Sequence, residues 1–413
     1  MSVRKRTWTT PKGVEKSAWI VDYADQQGTR RLKTFKLKKQ ADAFAATATV
    51  EVREGVHVAD SASVTVEKAG QFWIKSGGAA GLELSSINQR KRHLKFHINP
   101  MIGQTLLSRL NVPAVREFED RLREESRSPA MVKKVLSSLG SILSDAQERG
   151  LAMRNPVREM RVRRKGDKRH EGRHKARLRI GEDIPTREEV KALVGSLSGR
   201  WRSLLLTAIF SGLRSSELRG LRWADLDIDG KAITVNQRAD EFGEIGRPKS
   251  EAGERRIPIP PIVVNALKEW KLAYNRPMIG KDGEGKPILE DARLAHLIFA
   301  NGAGKVESHA NIINRGLVPA MIAAGVTIDT GAKDEDGNPI LKAKYTGLHA
   351  LRHFYASWLI NRPQDGGLGL PLKMVQERMG HASITMTADT YGHLFPKLDH
   401  ADELAAAEAA LLR

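Results

Sequence analysis

Residues 154–179 carry twelve Lys/Arg and three acidic residues, with almost no apolar side chains. Such a stretch cannot be buried, because like charges repel a compact state unless an anion neutralises them. Whatever folds on either side must build its own core. The 413-residue chain is therefore read as several domains joined by an extended basic linker that tracks phosphates. The excess of base extends over the whole chain. Lys and Arg number 68 against 49 Asp and Glu, a formal charge of +19 in a chain that is 40% hydrophobic. That balance points to a folded protein with a polyanionic partner, nucleic acid first. The absence of Cys excludes a disulfide framework, a Cys-ligated zinc and a thiol nucleophile. No apolar run follows the basic start, and no stretch approaches the roughly 18 apolar residues of a membrane span. A cytoplasmic, DNA-associated protein with no membrane partner is expected.

Residues 1–60 form the first expected unit. The segments Ser17-Ala-Trp-Ile-Val-Asp-Tyr23 and Arg31-Leu-Lys-Thr-Phe-Lys-Leu37 flank a turn at Gly28, which predicts a hairpin completed by a helix from about Lys39. A small sheet with basic residues on its exposed face suits a DNA groove, so Arg30, Arg31 and Lys33 are candidate DNA contacts. From residue 61 to 160 the spacing turns helical, with Val64, Phe72 and Ile74 in one segment and Val135, Leu139, Ile142 and Leu143 in another. This predicts a compact helical domain. The linker proper spans 161–181 and offers Arg163, Arg164 and Lys165 to phosphates.

Residues 182–413 read as a mixed, mainly α domain. Thr186 caps a helix starting at Arg187, with Glu189 in its first turn. Helical spacing over 204–210 gives way to short strand candidates at 232–237 and 255–260, and a Gly- and Asp-rich stretch at 329–343 reads as a surface insertion. The expected class is multidomain, mainly α with small β-sheets.

Two motifs are decoys. His170-Glu-Gly-Arg-His174 has the H-E-x-x-H pattern of zinc proteases but contains Gly172 and sits among Arg and Lys that repel a cation. Gly280-Lys-Asp-Gly-Glu-Gly-Lys286 begins like a phosphate-binding loop, yet Pro287 stands where Ser or Thr should bind magnesium. Without a carboxylate cluster or a nucleotide motif, neither a metal nor a cofactor is expected.

The residues that carry chemistry lie in four separated elements of the last domain. In Ser211-Gly-Leu-Arg-Ser-Ser-Glu-Leu-Arg-Gly-Leu221, Gly212 permits a tight turn, Ser215 or Ser216 can cap the next helix, and Arg214 sits at its entrance with Glu217 bracing it. Leu218 and Leu221 then face the core. In the second element, 246–256, Lys249 is lifted out on a hairpin, with Arg247 close by. The third, Gly347-Leu-His-Ala-Leu-Arg-His-Phe-Tyr355, places His349 and Arg352 on one helix face. Two cationic donors on a rigid face suit a phosphate. In the fourth, Pro371 starts a helix that buries Val375 and Met379, Gly380 stops it, and His381 is fixed at its exit. Tyr391 follows ten residues on, but spacing alone does not choose among the five tyrosines.

The order Gly-x-Arg, Lys on a hairpin, His-x-x-Arg, Met-Gly-His and then Tyr resembles the tyrosine recombinases, and the layout is similar to the phage-type integrases. The resemblance is strong over 184–395 and a matter of layout over 1–160. It implies an N-terminal β-sheet plus helix that binds arm sites (1–60), a helical core-binding domain (61–160) and a catalytic domain of tyrosine recombinase type (182–413). It also implies that Arg214, Lys249, His349, Arg352 and His381 take the active-site places, supported by Glu217, with Tyr391 as nucleophile. Ser211 and Phe354 stand where many members have Thr. Such an enzyme cleaves and rejoins double-stranded DNA through a 3′-phosphotyrosyl ester with no metal or ATP, because the ester keeps the bond energy. By the same resemblance it acts as a homotetramer on core and arm attachment sites of a phage or other mobile element. A host DNA-bending protein and an excisionase are the implied accessory partners.

Arginines in place of metal ions are a coherent electrostatic clamp, since planar multidentate donors can meet the charge that develops on the non-bridging oxygens. The competing expectations are a type IB topoisomerase-like enzyme and a DNA-binding regulator without catalysis. The C-terminal residues Leu404, Ala407 and Leu411 repeat at i, i+3 and i+7. They predict a tail helix that packs on its own domain or, as the resemblance implies, on a neighbouring protomer.

Overall fold

The computed structural model describes residues 1–25, 28–55, 59–60, 62–160, 177–273, 278–281, 287–289, 296–395, 405 and 408–412. It divides into two compact units, Met1–Gly166 and Asp167–Arg413, so the division falls inside the basic run. The linker candidates Arg163, Arg164 and Lys165, the decoy histidines His170 and His174, and the tail residues Leu404 and Ala407 lie outside the described residues. Leu411 is described and exposed.

The first unit opens with an antiparallel sheet of three strands rather than a two-stranded hairpin. β1 (Ser2–Thr9), β2 (Glu15–Ala24) and β3 (Arg30–Phe35) pair in that order, with Val21 opposite both Val3 and Lys33. β1 escapes a search for apolar alternation because every residue but Val3 is exposed. An edge strand rich in Arg and Lys gains its order from β2 and discourages pairing with other chains. Helix α1 (Lys38–Arg53) closes one face, burying Ala41 against Val21 and Tyr23.

The three basic candidates on β3 already have anionic neighbours. Arg30 pairs with Asp22, Arg31 Nε donates to Asp25 at 2.9 Å, and Lys33 Nζ donates to Asp60 at 2.9 Å while lying 4.3 Å from the Phe44 ring centre. Asp60 also accepts from Ser108 Oγ at 2.7 Å and from Arg109 Nη2 at 3.0 Å. Burial pushes its carboxyl up, but the hydrogen bonds from Ser108, Lys33 and Arg109 outweigh that and hold it at about 2.

Helices α2 (Val66–Ala79), α3 (Leu84–His93), α4 (Val112–Glu124) and α5 (Pro129–Glu148) build the second core of this unit. Thr65, Asn111 and Ser128 each cap a following helix with a side-chain oxygen. On α5 the expected Val135, Leu139, Ile142 and Leu143 are all buried. On α2 the deepest positions are not the ones singled out by spacing. Val66, Ala69, Gly70 and Trp73 go deepest, the expected Ile74 is half-buried and packs on that core with Val64, and Phe72 is half-buried with its ring 5.3 Å from the Arg149 guanidinium. The larger indole fills the core, and Phe72 covers a cation instead.

In the second unit α6 (Arg187–Ser196) starts with a reciprocal capping box. Thr186 Oγ1 accepts from Glu189 N at 3.2 Å, and Glu189 Oε2 accepts from Thr186 N at 2.8 Å. The same carboxylate holds Lys344 and the Tyr345 hydroxyl, which fixes the approach to a later helix. Helix α7 (Gly199–Ser211) is buried along most of its length and leads to the short α8 (Ser215–Arg219). Strands β4 (Leu226–Asp227), β5 (Ala232–Val235) and β8 (Arg255–Pro258) form an antiparallel sheet in the order β4-β5-β8. Between β5 and β8 lies the small pair β6 (Arg238–Ala239) and β7 (Ile245–Gly246).

Helix α9 (Pro261–Ala273) follows β8. Gly280 and Lys281 of the phosphate-loop decoy belong to a strand, Met278–Lys281, that pairs antiparallel with Pro287–Leu289. That strand belongs to a hairpin, whereas a phosphate loop leads from a strand into a helix. The stretch expected as a surface insertion is an exposed hairpin of β9 (Thr327–Lys333) and β10 (Pro339–Ala343). Helices α10 (Leu348–Ile360), α11 (Leu372–Met379) and α12 (Ile384–Tyr391) complete the unit. Leu205, Ile209, Leu351, Leu359, Val375 and Met379 from these separate helices share one core. That core holds the ends of α7, α10, α11 and α12 together, and the candidate site is built on those ends. No helix among the described residues is long and apolar enough to cross a membrane.

Candidate active site

The turn after α7 explains how Arg214 is held. Gly212 has φ 60° and ψ 22°, a left-handed cap that a β-carbon disfavours. Arg214, not Ser215 or Ser216, occupies the cap position of α8, and both serines lie within the helix. The expected serine cap is replaced by Glu217, whose Oε2 accepts from Arg214 N at 2.9 Å while Oε1 accepts from Arg214 Nη1 at 2.7 Å. A three-residue reach within one turn thus fixes both the backbone and the guanidinium. Arg214 Nη2 donates to Gly380 O at 2.8 Å, which ties this turn to the end of α11.

Arg352 sits on α10 and is buried. Its Nη1 donates to Gly212 O and its Nη2 to Met379 O. One side chain therefore clamps the cap of α7 and the last residue of α11, and its remaining N–H groups are left for another acceptor. Burial, followed by the charge of Arg214, lowers its pKa to about 9, so it stays cationic at neutral pH. Gly380, at φ 62° and ψ 45°, stops α11 as expected and turns the chain into His381. Gln376 Nε2 donates to His381 O at 2.7 Å, and His381 Nδ1 lies 2.9 Å from Thr387 Oγ1. Burial and then the charges of Arg352, Arg214, Arg255 and His353 push the His381 ring down to about 4.

Tyr391 is the last residue of α12 and is only 1% exposed. Its ring stacks on His381, with centroids 6.1 Å apart and planes 4° apart, and its hydroxyl lies 2.8 Å from His353 Nδ1. Burial raises the phenol to about 12 against the opposing charges of Arg352 and Arg214. His349 is exposed on the same face of α10, its ring 5.5 Å from that of His353. Arg214, His349, Arg352, His381 and Tyr391 are thus gathered by the ends of four elements. Lys249 is exposed on the loop between β7 and β8.

Two neighbours were not foreseen from the sequence. Arg255 is the inward member of the Arg255-Arg256 pair, with a side chain 6% exposed against 55% for Arg256. It completes the acidic brace, donating through Nη2 to Glu217 Oε2 at 2.8 Å and through Nε to Arg378 O at 2.9 Å. The strand period of two was the signal that one of the pair turns inward. His353 is the other. It stands four residues from His349, the spacing that puts both on one helix face. Among the described residues no group of three or more His, Asp or Glu side chains is placed to hold a metal ion.

Gly212 is the backbone point on which both arginines depend, and a β-carbon there overlaps the Tyr355 ring. Gly212→Ala is expected to destabilise the unit by roughly 2 kcal/mol or more, about 1 for the left-handed backbone and about 1–3 for the overlap. Thermal unfolding checks this, and unchanged unfolding would mean that the turn relaxes freely.

The sequence profile of the phage integrase family matches residues 186–397. A tyrosine recombinase XerC-like protein of Caldanaerobacter subterraneus subsp. tengcongensis is 25% identical over 398 residues, 90% of each chain. The ICEBs1 integrase of Bacillus subtilis is 24% identical over 327 residues, 77% of each chain. Among solved structures, the Tn1549 transposon integrase in complex with transposon right end DNA superposes with a TM-score of 0.59 at 20% identity. That match covers 85% of this chain and 100% of the other.

Proposed function

Because the chain belongs to the phage integrase family, we propose that Tyr391 is the residue with which it opens DNA, on a phosphate held by Arg214, Arg352, His349 and His381. The protein is a site-specific DNA recombinase of the tyrosine type, related to integrases of mobile elements. The carrying observation is that Arg214 and Arg352 are tied to the turn at Met379 and Gly380, while His381 stacks on the phenol at the end of α12 and His349 lies beside the His353 ring that meets its hydroxyl.

The physical chemistry runs from charge to bond. A phosphodiester is anionic and gains charge on its non-bridging oxygens as the nucleophile approaches. Arg214 and Arg352 are locked before the substrate arrives, so they meet that charge without reorganising, and each such donor is worth about 3 kcal/mol. Tyr391 Oη forms a bond to phosphorus while the bond to the 5′-oxygen breaks. The departing oxygen takes a proton from Lys249, which stands exposed on the loop between β7 and β8. The product is a 3′-phosphotyrosyl ester with a free 5′-hydroxyl, and attack by another 5′-hydroxyl reverses the step without ATP.

Exchanging two duplexes requires four strand cuts, one per active site, which supports a homotetramer on double-stranded DNA. The basic three-stranded sheet of residues 1–60 is read as the arm-site module and the helical core of 61–160 as the core-site module. Arg30, Arg31 and Lys33 reach phosphates by exchanging their carboxylate partners. The reaction takes place in the bacterial cytoplasm, with a host DNA-bending protein and an excisionase setting its direction.

A nicked duplex carrying the attachment site, which loses its short 5′ fragment on cleavage, tests the reading. With chelator present and ATP absent, the wild-type chain is expected to accumulate a covalent adduct. Peptide mapping should place the nucleotide on the peptide containing Tyr391. Bound DNA without any adduct would favour a regulator that has lost catalysis, and multiple-turnover relaxation of plasmid supercoils without strand exchange would favour a topoisomerase.

A further inference from the structure

The hydroxyl of Tyr391 does not point at either of the two histidines that complete the phosphate cluster. Its hydrogen-bond partner is the Nδ1 of His353, 2.8 Å away. We propose that His353 is a catalytic residue that receives the phenolic proton of Tyr391 during strand cleavage and returns it during rejoining. This inference rests on Tyr391 being the nucleophile.

Geometry carries the proposal. His353 follows Arg352 on α10, so the helix that presents one phosphate donor presents the imidazole beside it. The ring packs edge-on to Tyr391 at 5.7 Å between centroids and edge-on to His349 at 5.5 Å, while His381 covers another part of the phenol. The nucleophile is thereby held by rings whose orientations are fixed by packing, within the heavy-atom range a proton-transfer partner requires. For Nδ1 to accept, the ring must be neutral with its hydrogen on Nε2. The groups facing it favour that form. Burial, then the charges of His349 and Arg352, lower the ring to about 4, with Asp183 opposing; His381 and Tyr391 complete its surroundings.

In cleavage the Oη–P bond forms, and the P–O5′ electron pair leaves with the 5′-oxygen, which is protonated by Lys249. The phenolic proton passes to His353 Nδ1 and makes an imidazolium. A phenol of pKa about 12 does not ionise spontaneously beside this ring. Once oxygen bonds to phosphorus its proton becomes strongly acidic, and the arriving phosphate anion raises the basicity of the imidazole. Rejoining runs the same transfers backwards, so the proton count is unchanged over a complete exchange.

The test is single-turnover cleavage of the nicked substrate by His353→Asn. The Asn side-chain oxygen lies close to the position of Nδ1 and can accept the hydrogen bond, but takes no proton. The expected result is cleavage slower by about 10²–10⁴-fold, with DNA affinity and thermal unfolding as in the wild type. The same deficit should persist when the 5′-bridging oxygen is replaced by sulfur, which leaves without being protonated. Lys249→Ala should instead recover on that substrate. His353→Gln carries the same expectation as Asn if the latter unfolds. A wild-type rate in a folded Asn or Gln variant overturns the proposal and leaves a positioning hydrogen bond. Recovery of the variant on the sulfur substrate also overturns it, since His353 would then serve the leaving group. Tyr391→Phe run in parallel separates the two ideas, because adduct from that variant rejects the nucleophile itself.

Discussion

Tyr391→Phe is expected to form no covalent adduct on a nicked attachment site while binding that DNA like the wild type. The substitution removes one oxygen atom and nothing else, so the loss is of the bond-forming atom rather than of a rate factor. The ring remains, with its stacking on His381 and its edge contact with His353. Stability should therefore fall by only the order of one buried hydrogen bond, about 1 kcal/mol. Trapping assays resolved on denaturing gels check the chemistry, and mobility shifts check the binding. Undiminished adduct in this variant would move the nucleophile to another tyrosine. Tyr355 is the next to examine, although it is buried on α10 against Gly212.

Glu217→Ala is expected to have the largest effect on stability. The carboxylate is 3% exposed and is shared by Arg214 and by Arg255, which is itself 6% exposed. Removing it leaves a buried guanidinium without its anion, a change that typically costs about 3–5 kcal/mol. Cleavage should fall as well, because Arg214 loses the brace that fixes it, and a misplacement of about 1 Å costs on the order of 10²-fold.

The pH dependence gives an independent check. Burial pushes Glu217 up, but the hydrogen bond and charge of Arg255, with Arg214, outweigh it and hold the group at about 2, below its ordinary 4.5. A depressed acid contributes stability that is present in full above the unfolded value and disappears as pH falls through the folded one. The wild type should lose stability between about pH 4.5 and pH 2 faster than Glu217→Ala does. Equal slopes in acid unfolding curves would show that the carboxylate is not held as the geometry implies.

Local rules were legible wherever a residue's partner is close in sequence. The Thr186–Glu189 box, the turn at Gly212 and the stop at Gly380 each depend on a few neighbouring residues, and each can be read without knowing the fold. That Trp73 is buried on α2 while Phe72 stays half-buried beside Arg149 was not legible, because adjacent aromatic residues compete for one space that only the packed core defines. β1 was hidden for a similar reason. Its order comes from hydrogen bonds to β2 and not from an apolar pattern of its own.

At the candidate site, the kinds of group available are readable from the chain alone: two arginines, two histidines and a tyrosine in a fixed order, with turns at Gly212 and Gly380, though not the cap of α8, which Glu217 supplies in place of a serine. So is the positive charge that brings DNA to the chain. Packing of the whole unit was needed for Arg352 to clamp the turns at Gly212 and Met379, for Arg255 to share Glu217, and for the Tyr391 hydroxyl to meet His353. Spacing along a chain fixes which residues share a helix face. Which faces meet is set by burying the common core of α7, α10, α11 and α12, a sum over many apolar contacts that no single motif encodes.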